Sequence, residues 1–396
     1  MRAVVAVGAV ALLLALAGCG SAGDTTLDGS GSSGSSGDTS ASGGTVEPVA
    51  GCEDGWTDPS DMSADRQVAR CTSGNPAPQP LPEQTTVKLG SSFRLEFNSP
   101  VLLADTKGEF AKENIKFEFV NIPFADAIPQ LAQGSLDAAI GGFELALYNA
   151  GNQGLPVKAV MGNYFPPDAG DYSVAQTGLW CRRDAFTDPG NPDPAETQTL
   201  KWASSVGKGS SAVYYSVAEL QKRVSDFSVD DLSVERIPAA DIVTALQNGA
   251  IDCGVLLDPT WLTVANDPDY VLMATQTPGE PLGLVAFGKT LLQDKPEVGE
   301  AFVRAIIRTI NTYFQGDYHA DPEVLQAIAE VTNQPDTNKL TQTPSLVMDW
   351  EIRDQTTTAM QELFIKLGVI TDFQTPVAEE KVVDRSFYER AVGHSG

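Results

Sequence analysis

Histidine is nearly absent from this chain: only His319 and His394 occur in 396 residues. Neither lies near a cysteine, and no C-x-x-C or H-E-x-x-H spacing is present, which argues against a metal site. No cofactor is expected. G-x-S-x-G is missing too, and no cysteine has a histidine suited to activate it, so the common nucleophile patterns drop out. Basic residues are scarce, with 26 Lys and Arg against 52 Asp and Glu, a formal net charge of −26. Such a surface repels phosphates, and no nucleic-acid partner is expected. The imbalance does not set the sign of a small ligand, because charges beyond about 8 Å are screened at physiological salt. Its plain meaning is solubility on an exposed envelope surface.

Long apolar runs are confined to the start of the chain. Behind Arg2, Ala3 to Leu16 form an apolar stretch too short to span a bilayer, and no later stretch is apolar enough for a transmembrane helix. Leu16-Ala17-Gly18-Cys19 then supplies a small-residue cleavage site ending on cysteine. The segment resembles a bacterial lipoprotein signal (residues 1–18), which implies lipid on Cys19 and a chain held at the outer face of the cytoplasmic membrane. An ordinary secretory signal with an incidental cysteine is the other reading. Residues 20–44 are mostly Gly, Ser, Thr and Asp, a composition that buries no core and makes a tether spanning roughly 25–30 Å. Of the five cysteines, four then remain in an oxidising compartment. Cys52 and Cys71 flank a short acidic, turn-rich preface and are expected to close a loop there. Cys181 and Cys253 would pair by default, although spacing alone leaves the connectivity open.

One segment occurs twice. Ile122-Pro123-Phe124-Ala125-Asp126-Ala127-Ile128 runs on to Leu131, Gly134 and Leu136-Asp137. Ile237-Pro238-Ala239-Ala240-Asp241-Ile242-Val243 runs on, without a gap, to Leu246, Gly249 and Ile251-Asp252. Turn, helix and strand signals in the same order mean that one supersecondary unit is used twice. From Thr85 short strands alternate with helices, the pattern of an α/β fold. Val87 and Leu89, then Ile115, Phe117 and Phe119, mark strands by strict alternation, followed by strands at Leu136–Ile140 and Val157–Met161. A second lobe repeats this grammar with strands at Trp202–Val206 and Val234–Ile237. Gly178–Cys181 and Leu282–Ala286 bracket that lobe as connecting strands. Residues from Asp294 are largely helical. The two lobes total about 310 residues, beyond the size at which one core keeps growing.

Open parallel sheets bind ligands beyond the carboxyl ends of their strands. In the first lobe those ends are Gly90-Ser91-Ser92, with Phe93 beside them, and Gly142-Phe143-Glu144. In the second they are Gly209-Ser210-Ser211 and Asp258-Pro259-Thr260-Trp261. Hydroxyls and free amides at helix starts can hold a small anionic group, and the same residues can equally do no more than turn the chain and cap a helix. Phe143, Tyr214 and Trp261 are candidates to wall an organic ligand or to be plain core. Glu144 and Asp258 are candidates to receive an amine. Arg94, Arg182 and Arg183 are the candidate anion partners by charge. Gly207-Lys208-Gly209-Ser210 has the wrong spacing for a phosphate loop.

Ala127 to Gly142, Leu145-Ala146-Leu147-Tyr148, Gly154-Leu155-Pro156-Val157-Lys158, and Ala245 to Asp252 running into Asp258-Pro259 resemble the nitrate/sulfonate/taurine type of ABC-importer substrate-binding proteins, related to the NMT1/THI5-like group. The resemblance covers about residues 85–392, with Met360–Ala391 similar to the family's closing helices. It implies a type 2 periplasmic-binding-protein fold, two lobes joined by a two-stranded hinge, with residues 85–180 and 282–396 in lobe I and 181–281 in lobe II. It places Ser91, Ser92, Gly142, Phe143, Ser210, Ser211 and Asp258 toward the cleft. The insertion Pro189–Thr199 and the preface 45–84 depart from the family pattern. The function implied by the resemblance is that of a monomeric, membrane-tethered capture protein for a small polar solute of sulfonate, taurine or nitrate type, serving an ABC permease and its ATPase. A pyrimidine or other nitrogenous metabolite is the alternative, favoured if Glu144 and Asp258 face inward. A secreted hydrolase using those two carboxylates is the rival from another class.

Overall fold

The computed structural model describes residues 48–394 except 64 and 335. The signal segment, Cys19 and the tether lie outside the described residues. In chain order the strands are β1 (Thr85–Ser91), β2 (Ile115–Asn121), β3 (Ala138–Gly142), β4 (Lys158–Gly162), β5 (Tyr164–Phe165), β6 (Gly178–Arg182), β7 (Lys201–Ser204), β8 (Ser233–Arg236), β9 (Cys253–Leu256), β10 (Tyr270–Thr275), β11 (Gly283–Phe287) and β12 (Val347–Met348).

They form two five-stranded sheets of the same design. The first has the order β2-β1-β3-β11-β4; read from its matching edge, the second is β8-β7-β9-β6-β10. In each, the first three strands are parallel and the fourth is antiparallel to both of its neighbours. β6 and β11, expected as connectors, join the lobes from inside the sheets: one passage between lobes leads into β6 and the other, at residues 276–282, into β11. Because β6 lies wholly in the second sheet, the first passage falls before residue 178, slightly earlier than the expected boundary at 180.

The repeated text has a repeated physical cause. Its helices, Phe124–Gln133 and Ala239–Gln247, bury one apolar stripe each, Ala127, Ile128 and Leu131 in the first and Ile242 and Leu246 in the second. Gly134 (φ 76°) and Gly249 (φ 70°) then turn the chain in the left-handed region that other residues avoid. The aspartates beyond each glycine clamp the neighbouring strand. The Asp137 N–H donates to Lys88 O (3.1 Å) while Asp137 Oδ2 accepts from Lys88 N (2.8 Å). In the second copy the Asp252 N–H donates to Lys201 O (2.9 Å) and Asp252 Oδ2 accepts from Lys201 N (3.0 Å). The carbonyl of each aspartate accepts from the antiparallel strand's side, Gly288 N and Arg182 N, at 2.9 Å in both lobes.

The C-terminal part completes the first lobe. Helix Pro296–Tyr313 is buried along most of its length and packs against helices Ser99–Thr106, Glu109–Lys112 and Ser386–Val392. Its Arg304 and Arg308 meet Glu109 and Glu113 in a buried ion cluster. Arg308 donates to Glu109 Oε2 (2.7 Å) and Glu113 Oε1 (2.8 Å), and Arg304 donates to Glu113 Oε2 (2.8 Å). The preface docks on the same surface: Pro76 O accepts from Arg308 and Gln79 O from Arg304. Farther along it, buried Arg66 pairs with Asp349 and donates to Gly279 O (2.7 Å) in the second passage between lobes. Disulfides join Cys52 to Cys71 and Cys181 to Cys253, the latter two facing each other across β6 and β9.

Candidate functional site

The carboxyl ends of β1, β3, β7 and β9 converge on a chamber between the sheets, ≈ 80 Å³ in volume. Lobe I contributes Phe93, Leu95, Phe97, Gly142, Glu144 and Tyr164 to its wall. Lobe II contributes Ser204, Ser205, Ser210, Ser211 and Thr260 together with Ile242, Val255 and Leu257. Leu282 and Gly283, at the end of the second passage, close it. An outer cavity of ≈ 410 Å³ shares Phe93, Gly141, Glu144, Ser205 and Val206 with the chamber and adds Ser92, Lys208 and Arg236.

The lobes touch beside the chamber, and glycine makes the approach feasible. A Cβ on Gly142 would sit 2.8 Å from Ser211 Oγ, and one on Gly209 would sit 2.8 Å from Leu145 Cβ. Leu145 N donates to Gly209 O across the same gap (3.1 Å). From helix Ser211–Arg223, Ser211 Oγ donates to Leu282 O (3.1 Å) and Tyr215 OH to Pro281 O (3.0 Å), so lobe II grips the second passage.

Among the described residues, Glu144 is the one charged residue of the inner wall. It is 8 % exposed and precedes helix Leu145–Asn152, with Oε1 accepting from Gly142 N (3.1 Å). Burial pushes its carboxyl up to about 7; the Gly142 N–H and the more distant Arg236 oppose that rise. Asp258 is built differently. It is buried outside the chamber wall, accepting from Thr177 Oγ1 (2.5 Å) on one oxygen and from Trp261 Nε1 (2.7 Å) on the other. Burial lifts it to about 6, partly countered by the Thr177 hydrogen bond. Glu96, next to two wall residues, is bound to His319 Nε2 (2.7 Å) and the Tyr318 hydroxyl instead of facing the chamber.

The remaining candidates separate cleanly. Phe93, Gly142, Ser210 and Ser211 line the chamber and Ser92 the outer cavity. Ser91, Phe143 and Trp261 are buried outside both linings, and half-buried Tyr214 packs edge-on against Tyr215. Ser91 Oγ accepts from Phe93 N (3.2 Å) and Asn98 Nδ2 (3.0 Å), a turn-holding role. Sheet register pairs Leu89 with Ala138 and Trp202 with Cys253, which makes Ser204, not Ser210, the counterpart of Ser91. Ser204 Oγ likewise accepts from Gly207 N (2.9 Å). Ser210 caps its helix, accepting from Ala212 N (3.2 Å). The three candidate arginines serve elsewhere. Arg94 lies over the Phe119 ring at 4.1 Å, Arg182 pairs with Asp184 at 2.9 Å, and Arg183 donates to Pro189 O at 2.6 Å. Sequence reasoning missed Leu95, Phe97, Tyr164, Ser204 and Ser205. None of these had a signal in the sequence: the spacing of the two Ile-Pro segments carries Ser91 to Val206, past Ser204.

Two sheets of matching order, each with one antiparallel strand entered from a passage between lobes, define a type 2 periplasmic-binding-protein fold. The chain belongs to the NMT1-like family, whose profile matches residues 81–331. Among solved structures, it is similar to the alkanesulfonate-binding protein SsuA of Xanthomonas axonopodis pv. citri bound to MOPS, at 18% identity and TM-score 0.57 over 76% of this chain and 99% of that one. It is also similar to the periplasmic nitrate-binding protein NrtA of Synechocystis, at 16% identity and TM-score 0.57 over 79% of this chain and 89% of that one. A Candida albicans protein with the generic periplasmic-binding fold aligns at 17% identity and TM-score 0.50, over 79% of this chain and 96% of its own. No curated protein sequence matches significantly.

Proposed function

We propose that this chain is the extracytoplasmic solute-binding protein of an ABC importer, which captures a small organic solute between its lobes and delivers it to a permease driven by an ATPase. The observation that carries this is the chamber itself, walled by strand ends of both lobes. A solute held there makes its full set of contacts only when the lobes are together, so binding selects that state. Likeness to alkanesulfonate- and nitrate-binding proteins supports the role. For a paired-carboxylate hydrolase the chamber supplies Glu144 but, among the described residues, no second carboxylate in its wall.

Capture is tested by small-angle scattering with and without solutes from a thermal-shift screen over sulfonates, amines, amino acids and pyrimidines. Compaction on binding is expected, and an unchanged radius with a bound solute counts against lobe closure. Anchoring through lipid on Cys19 completes the proposal. Cys19→Ser should release the protein from membranes, and a variant that stays bound would refute the anchor.

A further inference from the structure

The chamber's polar groups are unevenly committed, and the unevenness points to a ligand class. Three of the six hydroxyls in its wall donate within the protein: Ser204 Oγ to Gly207 O (3.0 Å), Ser211 Oγ to Leu282 O (3.1 Å) and Thr260 Oγ1 to Leu257 O (2.5 Å). Among the described residues, no lysine or arginine lines the inner wall; Lys208 and Arg236 belong to the outer cavity. A sulfonate or nitrate seated inside would meet no cationic side chain and would have a carboxylate beside it. What the wall does offer is an acceptor. Glu144 receives one backbone N–H on Oε1, whereas an ionised carboxylate has room for about four hydrogen bonds.

The apolar surroundings are equally specific. Phe97 and Tyr164 stack with centroids 4.9 Å apart and planes 8° from parallel, while Leu95, Ile242, Val255 and Leu257 complete the apolar wall. The Tyr164 hydroxyl is buried without a hydrogen-bond partner among the described residues, which is costly unless a ligand or water meets it.

We propose, on the basis of solute capture, that the chamber selects a small organic cation: a protonated amine or nitrogen heterocycle whose N–H donates to Glu144 and whose flat apolar body lies against the Phe97–Tyr164 pair. Glu144 is then the specificity-determining residue, and the Tyr164 hydroxyl is the second polar anchor. The raised carboxyl of Glu144 agrees with this, since a buried acid lacking a cationic partner holds its proton more tightly than usual.

The test is calorimetry on the purified chain with two matched panels. The cations are benzylamine, benzamidine and 4-aminopyridine; the anions are benzenesulfonate, benzoate and nitrate. A cation should bind tightest at pH 8 and compact the protein in scattering. Glu144→Gln should weaken that cation by about 10–100-fold, the usual range for losing a charged hydrogen-bond partner. Glu144→Asp, which keeps the charge and shortens the reach, should retain the preference for cations at reduced affinity. Tyr164→Phe should cost about 5–10-fold, the worth of a neutral hydrogen bond. An anion that binds tighter than every cation and compacts the protein overturns the ligand class but leaves solute capture standing. Unchanged cation affinity in a folded Glu144→Gln variant overturns the role of Glu144. If no compound of either panel binds, the cation-selective chamber is refuted, and scattering over the wider solute screen then decides separately whether capture stands.

Discussion

Replacing Glu144 with glutamine should stabilise the unliganded protein, and only at neutral and alkaline pH. Burial raises this carboxyl from an ordinary value of 4.5 to about 7. An acid whose folded-state pKa is raised adds stability while protonated, fully so below its unfolded value. It loses that contribution as pH climbs through the folded value. At 1.36 kcal/mol per pH unit, the interval from 4.5 to about 7 corresponds to a loss of about 3 kcal/mol in the wild type. Glutamine keeps an oxygen able to accept from Gly142 N and carries no charge, so Glu144→Gln imitates the protonated acid at every pH. The two proteins should therefore unfold alike near pH 4, diverge between pH 4.5 and 7, and differ by about 3 kcal/mol at pH 8. With a urea m-value near 3 kcal/mol/M, that difference moves the midpoint by about 1 M. Taking the difference between wild type and variant cancels titrations common to both, including those of Asp258 and Glu280. Urea titrations at pH 4, 5, 6, 7 and 8, followed by circular dichroism, provide the measurement. A difference that is flat with pH, or that favours the wild type at pH 8, would refute the assignment of Glu144 as a buried charge without a compensating cation.

Three further outcomes rest on the packing. Asp137→Ala and Asp252→Ala should each cost about 1–2 kcal/mol and agree within about 0.5 kcal/mol, since both remove the same strand clamp; the double variant should be additive, and a large inequality in urea unfolding would contradict the equivalence of the copies. Arg308→Met should cost about 3–5 kcal/mol by leaving Glu109 and Glu113 buried with fewer partners, and combining it with Glu113→Leu should recover part of the loss; a cost below about 1 kcal/mol would show the cluster to be energetically idle. Replacing Cys52 and Cys71 with serine should destabilise by about 3 kcal/mol, the loop-closure term for a separation of 19 residues, and unchanged melting would place the preface's stability in its other contacts.

The duplicated architecture was legible because its signals are local. The Ile-Pro turn, the apolar stripe, the glycine turn and the aspartate lie within 16 residues of each copy, and the aspartates make matching bonds in both lobes. The pairing of Cys181 with Cys253, expected only by default, has its cause in two neighbouring strands. The site was harder to read. Gly-Ser-Ser recurs in the text, but the second occurrence caps a helix while the first ends a strand, because the loops after β1 and β7 differ. Matching by composition therefore pairs Ser91 with Ser210, where backbone register pairs it with Ser204. Phe143 and Trp261 stand beside turn residues, yet their rings turn into the core, at 1% and 3% exposure. Tyr164 had no local signal: it sits on a two-residue strand whose partner, β12, comes about 180 residues later in the chain.

That distant pairing bears on how a bound solute would be felt by the rest of the molecule. Tyr164 lies just ahead of the first passage between lobes, and Leu282 and Gly283 lie where the second passage enters β11. All three line the chamber. Helix Ser211–Arg223 of lobe II already holds the second passage through Pro281 and Leu282, and Arg66 of the preface holds it through Gly279. If the lobes close as proposed, a solute against this wall bears directly on the segments that join them, with no relay through either sheet. Each passage continues into the antiparallel strand inside a sheet, so under that proposal a shift there would be passed directly to the sheet. On that proposal, gripping a guest and setting the angle between the lobes would draw on the same few residues.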